Sequence, residues 1–539
     1  MSKDSSKTVI GKSKNLNPVF EELKDPNTFI NHIKELTKEG EALPHTEILN
    51  QLIENFEPLD FEALAFPQAE QLKTKLVELD AKLTNSDGSL NTDKAFERER
   101  EQWKDIKKQL DKLKLNTKHF LVLAIENVLK VAEQNKWGLC KNHDFIYLFN
   151  GAYWTNIDKE AFQKFLGEAA EKMNVAKFSA RYYQFREQLF KQFLATAYLP
   201  TPEPPKDVVF INLKNGTFEI NPTGTKLRPF NRTDFITYQL PFDYNPMAKA
   251  PLFEAYLNKV LPDKQRQQIL AEYLAYVFIS PSTLKLEKTL LLYGTGANGK
   301  SVFFEIVNAL LGAENVSSYS LQSLTNDTGY FRAKLANKLV NYASEINGSL
   351  ETAVFKQLVS GEPVEARLPY GEPFTLSNYA KLIFNCNALP KDVEHTNAYF
   401  RRFLIIQFDV TIPEAEQDKQ LSQKIISGEL SGVFNWVLEG LNRLLEQKRF
   451  TDCEAVHLAL EQYQTQSDSV KLYIDDKGYQ KSCEEYKLIK ELYQDYRSFC
   501  MEDGFKPVNK PNFIKRIQSC GFLIERRNIG NIAFLTMSI

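Results

Sequence analysis

The chain has 539 residues, a length that predicts about three or four domains. Hydrophobic residues make up 43% of it and charged residues 25%, which is typical of water-soluble globular protein. The net charge of −2 excludes a protein that binds nucleic acid through overall basicity, so any DNA contact must come from local basic patches or from charges concentrated in an oligomeric channel.

Cysteine content and apolar runs bear on the compartment. Six cysteines occur without a C-x-x-C pair, which predicts reduced thiols and neither a disulfide framework nor a zinc site. The first residues lack the apolar core of a signal peptide. The most apolar long run, Ile269–Ile279, contains Glu272 and is too short to cross a bilayer. We therefore expect a cytoplasmic protein without a membrane partner.

The first 135 residues are predicted to comprise a Ser/Lys-rich disordered tail, residues 1–18, and a helical region, residues 19–135. The charged stretch Lys94–Leu115 carries one apolar stripe at helical spacing. This stripe consists of Trp103, Ile106, Leu110 and Leu113. It favours a helix that packs on its own domain, with a coiled-coil seam as the alternative.

Residues 136–204 are predicted to form an α+β domain that ends at the proline-rich run Pro200–Pro205. Asn150-Gly151 indicates a hairpin, and a helical stretch follows from Lys159 to about Leu199. That stretch mixes basic and aromatic side chains, namely Lys177, Arg181, Tyr182, Tyr183, Arg186 and Lys191. Such a mixture suits single-stranded nucleic acid, but we favour the alternative of a solvated face over an aromatic core.

Residues 205–285 are predicted to be a collar of one hairpin, turning at Asn215-Gly216, and helices. Residues 286–410 carry strand candidates that are mostly continuous apolar runs, with helical segments between several of them. The candidates are Thr289–Tyr293, Val316–Ser320, Lys338–Ser344, Ala380–Cys386 and Phe403–Phe408. This pattern predicts a multidomain α/β protein whose core is a P-loop ATPase with a parallel sheet.

The first of these strands leads into a phosphate-loop motif, G-x-x-x-x-G-K-[ST]. The loop comprises Gly294, Thr295, Gly296, Ala297, Asn298, Gly299, Lys300 and Ser301. Backbone N–H groups at the start of the following helix would cradle the phosphates of ATP, with Lys300 on the β/γ oxygens and Ser301 on Mg²⁺. The alternative is a glycine turn without a ligand.

Three further positions complete the predicted catalytic set. Glu345 follows a strand and would hold Mg²⁺ or polarise water, although an ordinary exposed glutamate is the alternative. Asn387 ends the next strand and would sense the γ-phosphate, with Asn385 as its competitor. Arg401 and Arg402 precede a buried strand, where an arginine can reach a neighbouring subunit's nucleotide or simply form a solvated edge.

Between Glu345 and Asn387, alternation in V-E-A-R-L and a turn in P-Y-G-E-P predict an inserted hairpin. The ordered motifs A-N-G-K-S, A-S-E, K-Q-L-V-S-G-E, K-L-I-F-N-C-N-A-L-P and R-R-F resemble those of superfamily 3 helicases of the AAA+ type. More closely, residues 205–539 resemble the helicase module of the phage and plasmid primase family, which includes poxvirus-type primase-helicases.

That resemblance implies a hexameric ring, ATP hydrolysis at subunit interfaces and 3′→5′ movement on single-stranded DNA. It also implies that the hairpin lines the pore, which makes Lys356, Arg367 and Tyr370 the DNA-binding candidates. The tip lacks a lysine that some relatives carry, so stacking by Tyr370 or backbone contacts would replace a direct phosphate contact there.

The remaining chain is predicted to contain a helical lid and linker, residues 411–469, and a winged-helix domain, residues 470–539. The latter has predicted helices Glu484–Glu502 and Lys510–Cys520 and strands Phe522–Arg527 and Asn531–Met537. Basic residues mark its last helix and wing: Lys510, Lys515, Arg516, Arg526 and Arg527.

The sequence therefore predicts an ATP-dependent DNA helicase that replicates a phage, plasmid or other mobile element and acts on single-stranded and forked duplex DNA. Residues 1–200 offer neither a convincing metal-binding D-x-D or D-x-E pair nor a zinc motif, so we expect a helicase without priming activity, for which a separate primase or polymerase is a candidate partner. An initiator or loader that binds origin DNA without processive unwinding is one alternative. A small-molecule kinase is another, and it leaves the hairpin and the double arginine unexplained.

Overall fold

The computed structural model describes residues 45–85, 91, 93–134, 139–142, 145–197, 207–222, 224–344, 346, 350–369, 371–390 and 394–537. These residues divide into two compact units. The N-terminal unit contains the described residues up to 197 together with Phe230–Thr237. The C-terminal unit contains the described residues of 207–229 and 238–537.

The N-terminal unit is mainly helical. Its helices are α1 (His45–Glu54), α2 (Phe61–Ala65), α3 (Ala69–Leu83), α4 (Glu97–Lys112), α5 (Thr117–Gln134), α6 (Lys159–Lys172), α7 (Lys177–Arg181) and α8 (Tyr183–Thr196). Its antiparallel sheet consists of β1 (Leu139–Asn142), β2 (Phe145–Phe149) and β3 (Trp154–Ile157). Phe162 and Phe193 are fully buried between α6 and α8, in the middle of the core.

Two expectations for this unit are confirmed. The hairpin at Asn150-Gly151 joins β2 to β3. Helix α4 lies against α3 of its own domain, where the Trp103 indole donates to a carboxylate oxygen of Asp80 at 2.6 Å, and the stripe residues are half-buried.

The helical stretch predicted from Lys159 onward is present as three separate helices, whose breaks the sequence pattern did not predict. Asn174 adopts a left-handed conformation with φ of 78° and ends the turn after α6. Tyr182 is extended, with ψ of 132°, and separates α7 from α8. The apolar pattern continues across both breaks because all three helices cover the same core.

The C-terminal unit begins with an antiparallel sheet and two helices: β4 (Val209–Leu213), β5 (Gly216–Asn221), β6 (Gly224–Arg228), α9 (Pro251–Val260) and α10 (Lys264–Tyr276). Its middle part contains β7 (Thr289–Tyr293), α11 (Lys300–Leu311), β8 (Val316–Ser317), α12 (Leu321–Thr325), α13 (Tyr330–Ala333), β9 (Val340–Ala343), α14 (Thr352–Ser360), β10 (Val364–Arg367), β11 (Pro373–Leu376), β12 (Lys381–Cys386), α15 (Asn397–Phe400) and β13 (Phe403–Gln407). Its last part contains α16 (Leu421–Gly428), α17 (Leu430–Gln447), α18 (Glu454–Gln466), α19 (Ser469–Asp476), β14 (Tyr479–Leu488), α20 (Ile489–Glu502), α21 (Lys510–Ser519), β15 (Ile524–Arg527) and β16 (Gly530–Met537).

A five-stranded parallel sheet is the centre of this unit, with the strand order β13-β7-β12-β9-β8. The strand predictions are confirmed, although β8 is only two residues long. Leu290 and Leu292 of β7 pack into one core with α11 and α17, while Leu291 packs into the core on the other face. Burial of both faces explains why these strands are continuous apolar runs. The parallel arrangement brings the carboxyl ends of all five strands to one edge.

The end of the chain combines three helices with a three-stranded antiparallel sheet of order β14-β16-β15. The hairpin between β15 and β16 was expected and is confirmed. The helix predicted for Glu484–Glu502 is wrong at its start, because the residues before Ile489 belong to β14. Tyr486 pairs with Phe534 across the sheet, and this tertiary contact outweighs the local preference of the segment.

Candidate functional site

The loop between β7 and α11 adopts a conformation that requires glycine. Gly296 and Gly299 have φ of 121° and 85°, and Ala297 is also left-handed with φ of 48°. A Cβ on Gly299 would lie 2.7 Å from a methyl carbon of Val260 on α9. The hydroxyl of Tyr256 donates to the Gly299 carbonyl at 2.8 Å. Helix α9 therefore holds the end of the loop where α11 begins.

The chain after β13 supports the same loop from a second side. The side-chain amide of Asn298 donates to the Phe408 carbonyl at 3.2 Å, and the Ile412 amide donates to the Ala297 carbonyl at 2.8 Å. A Cβ on Gly294 would lie 2.7 Å from the Phe408 oxygen, so this close approach requires glycine. The loop is consequently built into the core on both sides while Thr295 and Ala297 remain exposed.

Lys300 is the first residue of α11 and is only 6% exposed. Its ammonium donates to the Gly294 carbonyl at 2.6 Å and to the Asn298 side-chain oxygen at 3.1 Å. Burial lowers the pKa of Lys300, and nearby Cys386 opposes that effect. Two neutral oxygens compensate a buried cation only in part, whereas phosphate oxygens would do so fully.

The residues around Lys300 fit a triphosphate with its metal ion. The first N–H groups of α11 have no partner within the helix, and the positive end of its dipole lies at Lys300. Ser301 is exposed beside it. The sequence-predicted phosphate residues Gly294–Ser301 are therefore brought together as one cradle.

Asn387 lies at the same edge of the sheet as the loop. The Gly294 amide donates to the carbonyl of Cys386, the last residue of β12, at 3.2 Å, so Asn387 follows directly beside the loop and is exposed. Its competitor Asn385 is buried, and its side-chain oxygen accepts from the Tyr342 hydroxyl at 3.0 Å. Of the two asparagines, Asn387 is the one that is exposed at this edge of the sheet.

Glu345 lies outside the described residues. The strand before it, β9, ends at Ala343, and β12 lies between β9 and β7 in the sheet. Strand β9 therefore ends at the same carboxyl edge of the sheet as β7, from which the loop begins.

Arg401 and Arg402 lie at the opposite edge of the sheet. The Thr289 amide, at the start of β7, donates to the Arg402 carbonyl at 2.8 Å, and a five-residue strand spans about 13 Å. The two side chains differ in exposure, at 51% for Arg401 and 8% for Arg402. Neither arginine is beside the loop of its own chain.

Glu287 binds both arginines. The Arg401 guanidinium lies 2.6 Å and that of Arg402 lies 3.8 Å from its carboxylate. Although burial acts to raise the pKa of Glu287, the two guanidinium groups hold it below its ordinary value. Arg402 also donates to the Ser360 hydroxyl at 2.9 Å and to the Ala398 carbonyl. Its guanidinium is therefore hydrogen-bonded within its own chain.

The expected hairpin is present as β10 and β11, paired from Val364 with Leu376 to Arg367 with Pro373. Arg367 is exposed and donates to the Gly371 carbonyl at 2.9 Å across the turn. Tyr370 lies outside the described residues. Lys356 does not join the hairpin tip, because its ammonium pairs with Glu394 at 2.9 Å.

Sequence reasoning missed Arg332, which is 5% exposed and supports the base of the hairpin. It donates to the Glu365 carbonyl on β10 at 2.7 Å and to the Leu324 carbonyl on α12 at 3.1 Å. Because backbone carbonyls are its acceptors, no acidic partner in the sequence marks it. Arg332 therefore joins the hairpin to α12.

The basic residues at the end of the chain are in different environments. Lys510, Lys515 and Arg526 are exposed. Arg516 pairs with Asp468 at 3.2 Å, and the Arg527 guanidinium lies 5.0 Å from the centre of the Tyr486 ring. No helix in the described part of the chain is long and apolar enough to cross a membrane. Nor do the described residues gather three or more His, Cys, Asp or Glu side chains into a metal-binding group.

Two protein-family models match the chain. Residues 126–262 match the family described as D5 N terminal like, and residues 292–402 match a family of unknown function (DUF5906). The second match contains the whole phosphate loop and the hairpin. The first spans parts of both compact units.

One curated relative is a protein of Acanthamoeba polyphaga mimivirus named "Putative helicase". It is 25% identical over 178 residues, which cover 31% of this chain and 18% of the relative. The chain therefore matches less than a fifth of that protein's length.

Among solved structures, two apo forms of the NrS-1 C-terminal region are similar. The first has 14% identity and a TM-score of 0.42, and covers 76% of this chain and 98% of that one. The second has 13% identity and a TM-score of 0.41, and covers 77% and 99%.

Proposed function

We propose that this protein is an ATP-dependent DNA helicase of the superfamily 3, AAA+ type, which acts as a hexameric ring and moves 3′→5′ on single-stranded DNA. The observation that carries the proposal is the division of the site between the two edges of the sheet. Lys300 lies at one edge and the exposed Arg401 at the other. A site that uses both must draw them from two copies of the chain.

ATP binding is assigned to the loop and the start of α11. Lys300 would exchange its contacts with Gly294 and Asn298 for the β/γ oxygens. Ser301 and Glu345 would hold Mg²⁺, which neutralises charge on the phosphate oxygens when bound. Asn387, exposed beside the loop, would orient the attacking water.

Arg401 of one copy would stabilise the charge on the phosphoryl group bound to its neighbour. Its exposed guanidinium supports this role, because it is held by one carboxylate and can exchange Glu287 for phosphate oxygens. Arg402 is the less suitable of the two, since it is buried and bonded to Ser360.

The hairpin supports the proposal that ATP hydrolysis drives movement along DNA. β11 ends at Leu376 and β12 begins at Lys381, so the hairpin leads almost directly into the strand that ends beside the loop. A shift of Asn387 with nucleotide state would therefore reach β10 and β11 through a short rigid path. The similarity to the mimivirus protein named as a helicase supports the same conclusion.

Strand displacement tests this proposal. Lys300→Ala should reduce ATP hydrolysis and unwinding of a forked duplex by at least about a hundredfold, because the phosphate charge loses its buried cation. Lys334→Ala removes an exposed lysine from the same unit and should leave both activities unchanged. Full unwinding by Lys300→Ala would overturn the assignment.

An origin-binding initiator or loader is the second candidate function. The exposed Lys510, Lys515 and Arg526 favour it, since they extend along α21 and β15 where a duplex can lie. Under this alternative, Lys510→Glu with Lys515→Glu abolishes binding to duplex DNA, and the wild-type protein displaces no strand.

A further inference from the structure

A groove in the N-terminal unit lies between the first turn of α5 and the pair α7 and α8. It encloses about 790 Å³, within the range of small-ligand sites. Its lining includes the apolar side chains Phe120, Leu121 and Phe185 together with hydroxyl, amide and ammonium groups. The apolar side chains suit the flat face of a nucleic-acid base, and the polar groups suit its hydrogen-bonding edge.

Charge in the groove has one sign. Lys118 and Lys191 line it, and no acidic side chain does among the described residues. Glu187 is not among the lining residues, and its carboxylate pairs with the Lys191 ammonium at 3.0 Å. The Lys191 side chain nevertheless remains 71% exposed. An exposed pair of this kind is weak, so a phosphate can replace the carboxylate at little cost.

Three large exposed aromatic side chains lie within residues 178–183, and each lines the groove or is next in sequence to a residue that does. Phe178 is 89% exposed, Tyr183 65% and Tyr182 51%, and Tyr182 also lines the groove. The rings of Tyr182 and Tyr183 lie edge to face with their centres 5.0 Å apart. The neighbouring aromatics Phe185 and Phe193 of α8 are buried in the core. The three outer rings are thus left out of the packing that accounts for the others.

We propose that this groove is a binding site for single-stranded DNA, with bases stacked on Phe178, Tyr182 and Tyr183 and the backbone held by Lys118 and Lys191. Exposed rings beside a cationic groove are the combination that binds unpaired bases without regard to sequence. A duplex offers no free base faces to these rings, which is why the single strand is favoured. The choice of DNA rests on the proposed function, whereas the site stands outside the ATPase core.

Binding is measured by fluorescence anisotropy with a labelled oligothymidylate of about 20 nucleotides, long enough to cover such a site. The full chain carries Lys300→Ala throughout, so that the result does not depend on hydrolysis. Combined Phe178→Ser, Tyr182→Ser and Tyr183→Ser should weaken binding at least about tenfold, as expected for loss of stacked bases. Val77→Ser, at a residue 66% exposed elsewhere in the unit, should leave it unchanged.

A matched pair of lysines tests the charge. Lys191 and Lys164 both form exposed ion pairs with a glutamate four residues away, but Lys191 alone of the two lines the groove. Lys191→Gln should weaken binding and reduce its salt dependence, and Lys164→Gln should do neither. Equal effects of the two substitutions would overturn the proposal.

Photo-cross-linking gives a result without any substitution. An oligonucleotide carrying 5-iodouracil should cross-link within residues 177–192 of the wild-type chain. Cross-links confined to the β10–β11 hairpin would overturn the groove and leave the helicase proposal standing. Unchanged DNA affinity in the triple variant together with loss of self-association would also overturn it, since the rings would then be a protein contact.

Discussion

Arg401 and Arg402 are adjacent in sequence but lie in different surroundings. The first is half exposed on Glu287, and the second is buried against Ser360 and Ala398. Two neighbouring residues therefore differ in role. The Arg401 side chain is accessible to another molecule, and the Arg402 side chain supports the fold. Substitution of each arginine separates the two roles.

Arg401→Ala should leave the free energy of unfolding nearly unchanged and reduce ATP turnover by about a thousandfold or more, because a transition-state charge loses its partner. Arg402→Ala should instead reduce the free energy of unfolding by about 1–3 kcal/mol, because the buried hydroxyl and carbonyl acceptors lose their donor. Denaturant unfolding and steady-state turnover check the two outcomes. The reverse pattern would assign the exchangeable role to Arg402.

At the scale of elements, the β10–β11 hairpin depends on a residue that its own sequence does not contain. Arg332 ties the Glu365 carbonyl to α12, and the Arg367 amide donates to the Gly329 carbonyl at 3.4 Å. The hairpin strands also pack on the core, so a movement of the core is passed on to the turn. DNA should therefore influence hydrolysis through this anchor.

Arg367→Ala removes an exposed guanidinium near the tip and should lower the stimulation of ATP hydrolysis by single-stranded DNA several-fold, with basal hydrolysis retained. Turnover with and without oligothymidylate measures the ratio. The matched control is Arg449→Ala, which removes an exposed arginine remote from the hairpin in sequence. Equal loss of stimulation in both variants would contradict a role for the hairpin.

The sequence predicts an element well when the residues that determine its structure lie within the element itself. The strand-loop-helix at Gly294–Ser301 is specified locally, by an apolar run, glycines and a helical repeat, and the structure has all three. β14 was missed because its stability comes from pairing with β16, far along the chain. The sequence did not predict the roles of Arg332 and Tyr256 for the same reason. Both side chains donate to backbone carbonyls of residues distant in sequence.

At the scale of the whole molecule, the sheet separates the two halves of the proposed site. The loop lies at the carboxyl edge and Arg401 at the amino edge, with the length of β7, about 13 Å, between the two edges, so one copy alone offers an incomplete site. Association of copies would then be a condition for hydrolysis, and turnover per chain should rise with protein concentration.

A mixture of two inactive variants tests this central claim most directly. Lys300→Ala keeps Arg401, and Arg401→Ala keeps the loop, so an interface is complete where the loop of an Arg401→Ala chain faces Arg401 of a Lys300→Ala chain. With random assembly of equal amounts, about a quarter of the interfaces should be complete, and ATP turnover should recover to roughly that fraction of wild type. A mixture as inactive as its components would contradict a site shared between subunits.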